Sequence, residues 1–109
     1  MDSGTLAVED AQRLDALARA NRVRVDRAKL KRRIASGETS AAEAILLQRS
    51  ETHTMPVVEV LTSQRNWGDM RCRRLLLAMR LHETKRIGSL TDRQRRMLAD
   101  RLGYRGGEI

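Results

Sequence analysis

R-N-W-G-D-M-R-C-R-R-L-L-L-A-M-R-L-H-E-T-K-R-I-G-S-L, residues 65–90, reads as a glycine-containing loop, a basic helix, and a second loop ending in Lys85-Arg86-Ile87-Gly88. Asp69, just after Gly68, is expected to cap or open the helix with its carboxylate near the exposed backbone amides. Gly88 is expected to turn the chain through a conformation that a side chain resists. Leu75, Leu76, Met79 and Leu81 form the expected apolar face, and Arg71, Arg73, Arg74 and Arg80 populate the rest. Two loops with free N–H groups, flanking an arginine-bearing helix, make a clamp for phosphates. The segment is therefore a candidate grip on duplex nucleic acid.

Length and composition bound the rest. A chain of 109 residues makes one domain with a modest core. Phe is absent and Trp67 and Tyr104 are the only aromatics, so aliphatic residues and Met must fill the interior, as in a small all-α fold. The net charge of +8 points to a polyanionic partner, although composition alone does not separate DNA, RNA and an anionic membrane. The single Cys72 excludes an internal disulfide and fits a reducing compartment. No apolar run is long enough for a membrane span or signal peptide, so a cytoplasmic protein is expected.

The charge is unevenly placed. Residues 13–33 carry nine Lys/Arg against Asp15 and Asp26, and residues 65–101 carry eleven against four acids. Between them, residues 34–64 hold Arg49 against four Glu. Two basic blocks around an acidic spacer imply two contact surfaces, with simple solvation of arginine-rich helices as the bland alternative.

In chain order, Met1 to Gly4 is expected to fray, and Thr5 or Asp10 to cap a helix reaching Ala35, stopped by Ser36-Gly37. Leu14, Leu17, Asn21, Val25 and Ala28 recur at helical spacing, and Leu30 and Ile34 extend a drifting stripe. So thin a stripe predicts that the C-terminal half packs on the body while the N-terminal half projects. Residues 37–48 form a second helix capped by Thr39 or Ser40, with Glu43 at capping-box distance and Ala44, Ile45 and Leu47 inward. Residues 49–54 read as a polar connector. Pro56 opens a third short helix through Leu61, burying Met55, Val58 and Leu61. Thr91 and Gln94 form a capping-box pair for a last helix with Met97, Leu98 and Leu102 inward, Arg93, Arg95, Arg96 and Arg101 outward, and Gly103 at its end. Residues 104–109 read as a mobile tail. The whole is a long basic N-terminal helix (1–37) followed by a four-helix body (38–103).

Enzymatic chemistry finds no support. His53 and His82 fall in connectors without Cys or carboxylate at metal-ligand spacing, so neither a metal nor a cofactor is expected. His82 is expected to contact a phosphate or, the favoured reading, to cap the helix before it. Cys72 is expected to be buried and inert beside Leu75 or Leu76.

The order of elements resembles the actinobacterial integration host factors, nucleoid-associated proteins with a helix-two-turns-helix module, here about residues 55–103. The likeness runs from about Arg19 to Gly103. Its anchors are R-A-K-L-K-R-R-I-A-S-G (27–37), Gly68, and T-K-R-I-G-S-L-T-D-R-Q-R-R-M-L (84–98). The family's second loop typically reads T-R-R-[LV]-R-G-L-G. Lys85 and Arg86 match its paired basic positions, Ile87 the apolar one and Leu90 the later leucine, while Gly88 and Ser89 replace an arginine and a glycine. The first loop departs further from the family's L-P-x-V-G-K: Gly68 is kept, but Arg65, Trp67 and Asp69 stand for the proline, valine and lysine. Trp67 is expected to pack on the core rather than touch a sugar.

The resemblance implies a monomer that binds double-stranded DNA with little base specificity, bends or compacts it in the nucleoid, and assists a recombinase in phage-type site-specific recombination. The DNA-contacting residues would be Arg65, Asn66, Gly68, Arg71, Lys85, Arg86, Gly88 and Arg93. A second DNA surface would comprise Arg22, Arg24, Arg27, Lys29, Lys31, Arg32 and Arg33. Two other classes stay open: an RNA-binding or ribosome-associated helical module, and a phage-encoded regulator that meets an acidic protein.

Overall fold

A computed structural model describes residues 3–47 and 49–103, with side chains from Ala7 onward. The fold is all-α. Six helices follow one another: α1 (Ser3–Ser36), α2 (Ala41–Leu47), α3 (Ser50–His53), α4 (Val57–Thr62), α5 (Asp69–Ala78) and α6 (Asp92–Arg101). A 3-10 turn, Ile87–Ser89, lies between α5 and α6. The described residues contain no strand, only an isolated antiparallel bridge between Pro56 and Arg86.

The projecting helix follows from its side chains. Residues 7–26 are exposed throughout, whereas Leu30 and Ile34 are buried in the body. The molecule consequently measures 62 × 28 × 26 Å, with a radius of gyration of 17.6 Å, against about 13 Å for a compact chain of this length. Thr5 and Asp10 are not caps, because the helix already includes Ser3 and Gly4. Gly37 ends α1 at φ +84°, a left-handed position suited to glycine. The fray expected over Met1 to Gly4 is not found at Ser3 and Gly4, which are helical; residues 1–2, and 104–109 where a mobile tail was expected, lie outside the described residues.

The body closes around an aliphatic core: Ile45 from α2, Met55, Val57, Val60 and Leu61 from α4 and its entry, Leu76 from α5, Ile87 from the 3-10 turn, and Leu98 from α6. Each such side chain contributes about 1.5–3 kcal/mol on full burial. Helix α2 packs on α6 and α4, α4 on α5, and α3 on both α1 and the 3-10 turn.

Several side chains differ from expectation at helix ends, where phase is least constrained. Leu47 and Met97 are exposed, while Ala41, Ala42 and Ala99 of the same helices are buried. Residues 50–53 form a helical turn instead of a connector, with Thr52 fully buried and its hydroxyl donating to the Arg49 carbonyl at 2.7 Å. In α4 the buried face is Val57, Val60 and Leu61, with Val58 only half-buried. Helix α5 ends at Ala78. Leu76 and Cys72 make its buried face, Leu75 and Met79 pack at the margin, and Leu81 reaches the core from the following loop.

Helix α5 ends in a Schellman arrangement: Leu81 N donates to Leu76 O at 2.9 Å and Arg80 N to Leu77 O at 3.0 Å. Arg80 occupies the left-handed position at φ 56° that usually carries glycine. An L side chain there costs about 1–2 kcal/mol. Arg80→Gly is therefore expected to stabilise the body by about 1 kcal/mol, read as a higher midpoint in urea unfolding with unchanged slope. A lower midpoint would refute this account of the turn.

Candidate nucleic-acid interface

The first loop leaves α4 at Ser63 and enters α5 at Gly68. Asn66 adopts φ 69°, a left-handed conformation that Asn tolerates better than most side chains. Trp67 packs at the edge of the core, as expected, and the Arg71 guanidinium lies over its ring, 3.9 Å from the centroid. Gly68 is the N-cap of α5, and no side chain hydrogen-bonds that end. Asp69 is thus the first helical residue and not the cap; its carboxylate contributes through the helix dipole alone. The leading amides of α5 remain for an outside acceptor. Arg65, Asn66, Gly68 and Arg71 are all exposed around them.

Loop 2 is built differently. Val57 N donates to Lys85 O at 2.7 Å, Val58 N to Glu83 O at 3.2 Å, and Ile87 N to Met55 O at 2.9 Å. Loop carbonyls thereby satisfy the first amides of α4, and that helix end is closed to anions. The loop is fixed from the other side by Arg95, which is buried although the sequence pattern places it outward. Its Nη2 donates to Ile87 O at 3.3 Å and Gly88 O at 3.5 Å, and its Nη1 meets Asp92 Oδ1 at 3.0 Å. Arg86 is left exposed and Lys85 half-buried. The nearby carboxylate of Glu83 pairs with Arg73 at 3.1 Å.

Gly88 does not take a left-handed conformation; its positive-φ counterparts are Gly37 and Gly103. The requirement is space, since a Cβ at Gly88 would lie 2.4 Å from Cε1 and Nδ1 of the His53 ring. Gly88 thus serves contact between α3 and the 3-10 turn. His82 also departs from its expected role. Its Nδ1 accepts from Thr84 N at 3.2 Å and lies 2.6 Å from Thr84 Oγ1, shaping loop 2 rather than capping α5.

The two loops stand at opposite ends of α4. Six residues of helix separate them, about 9 Å along its axis. The loops are therefore spaced along α4 rather than gathered at one point. Arg93 is exposed in the first turn of α6, whose N-terminus Thr91 and Gln94 close in a complete capping box. Of the basic residues on α1, Arg27 donates to Thr54, Lys31 pairs with Glu59, and Arg33 approaches Glu38 at 3.6 Å. Arg22, Arg24, Lys29 and Arg32 are exposed.

Cys72 is fully buried, and its thiol pKa is raised, first by burial and then by the Asp69 carboxylate, against the lowering effect of Arg71. It stays protonated and unreactive near neutrality. Among the described residues no three His, Cys, Asp or Glu side chains gather as metal ligands, and no helix is long and apolar enough to cross a membrane. Comparison with protein-family models, curated proteins and solved structures returned no match.

Proposed function

We propose that this chain binds double-stranded DNA through its phosphates, in the manner that its resemblance to the actinobacterial integration host factors implies. The observation that carries the reading is the uncapped N-terminus of α5, set among exposed Arg65 and Arg71, with Lys85 and Arg86 presented by a second, rigidly held loop. Amides and arginines fix a protein on a sugar–phosphate backbone without reading bases. Recognition is largely independent of sequence, as the resemblance implies. Lys29 and Arg32, exposed on α1 next to the body, extend the cationic surface. Bending or compaction of DNA, and service to a recombinase, are the architectural role that the resemblance implies.

A competition experiment separates the readings. Unrelated DNA duplexes are expected to displace one another at equal concentration, and duplex RNA to compete far less well. An A-form helix presents a deep, narrow major groove and so a different arrangement of phosphates across it. Preference for RNA, or for neither nucleic acid, would overturn the proposal.

A further inference from the structure

The projecting part of α1 carries a second apolar stripe that the body does not use. Ala11, Leu14, Leu17, Ala18, Asn21 and Val25 share one face at helical spacing. That face lies on nearly the opposite side of α1 from Leu30 and Ile34, which enter the core. Leu14 is 66% exposed, Leu17 60% and Val25 42%. About 30 Å of helix thus stands in solvent with nothing packed on it, although isolated helices of this kind are marginal in water.

Charge identifies what fits there. The start of α1 carries Glu9, Asp10 and Asp15 around Arg13, and the following stretch carries Arg19, Arg22 and Arg24 ahead of Asp26, so the first is acidic on balance and the second basic. The helix dipole does not account for this division, because its influence fades within the first and last turns and these residues lie well inside. An antiparallel copy of the same helix sets acid against base at both ends, whereas a parallel copy sets like against like. We infer that α1 is a homodimerisation element, pairing antiparallel with α1 of a second copy through the Leu14–Leu17 stripe.

Placing Leu14 beside the second copy's Leu17 brings Asp10 level with its Asn21 and within a turn of its Arg24. A polar residue in such a seam fixes register. The two bodies then sit about 40 Å apart at opposite ends of the helix pair, replacing the monomer that the family resemblance implies. The dimer stands independently of the DNA reading; together they make a two-headed protein able to bridge duplexes.

Sedimentation of the full chain without nucleic acid, over a concentration series, is expected to give twice the 12.4 kDa of one chain. Leu14→Arg with Leu17→Arg is expected to return the single-chain mass while the helical body persists, both residues being exposed. Orientation is read by disulfide trapping: Asp10→Cys mixed with Asn21→Cys is expected to cross-link, and Asn21→Cys alone not to. In the antiparallel pair the two copies of position 21 lie about 16 Å apart. A single-chain mass at every concentration, a dimer indifferent to the Leu14/Leu17 change, or self-cross-linking of Asn21→Cys would each overturn the inference.

Discussion

Arg95→Met is expected to destabilise the body by about 2–3 kcal/mol, lowering Tm by about 10–15 °C. The size follows from what the guanidinium touches. It is 7% exposed and donates to the Ile87 and Gly88 carbonyls, so a methionine of similar length keeps the packing but strips bonds from buried acceptors. The ion pair to Asp92 adds little, because that carboxylate is open to water. Arg95→Lys is expected to rescue only part, since an ammonium does not reproduce the planar fork that reaches Asp92 and the loop together. Below the melting range, Arg95→Met is also expected to weaken DNA binding severalfold without changing its salt dependence. Arg95 is expected to act by positioning loop 2 through the Ile87 and Gly88 carbonyls and not by contacting phosphate. Unchanged Tm would contradict this role.

Lys85→Ala with Arg86→Ala is expected to act in the opposite way, sparing the fold and weakening every duplex alike by about 30-fold at moderate salt, at about 1 kcal/mol for each lost contact. The Lys85 carbonyl that holds Val57 N belongs to the backbone and survives the substitution. Two fewer phosphate contacts should also flatten the plot of log affinity against log salt by about 2. Thermal unfolding and anisotropy titrations read the two effects separately. Retained affinity, or a loss confined to one duplex sequence, would contradict backbone binding by this loop.

The all-α architecture was legible because its signals are local. Ser36-Gly37 ends α1, and Thr91 with Gln94 opens α6, through bonds made within a few residues. The projection of α1 was likewise visible, since a stripe broken by Asn21 among arginines cannot bury much. What failed to show were decisions made by partners outside each residue's own element. Arg95 looks like one more outward arginine until the carbonyls of Ile87 and Gly88 are placed beside it. Gly88 looks like a turn glycine until His53 is seen to occupy its Cβ space. The short helix at Ser50–His53 is a polar run whose only strong signal, buried Thr52, comes from tertiary packing.

The candidate site was legible in part. Gly68, Lys85 and Arg86 stand out as glycine and cation, and each is at least partly accessible. Their relation was not, because it depends on loop 2 docking on the N-terminus of α4 through Val57 and Val58. That docking spaces the loops along α4, and it leaves α5 with an open amide end beside the first loop.

Amide chemical shifts recorded while a short duplex of arbitrary sequence is added test the central claim most directly. Binding through both loops predicts large shifts at Asp69, Met70, Arg71 and Arg86, with the amides of Ala44 and Ile45 in α2 unmoved. Shifts confined to α1, or to one loop alone, would contradict it.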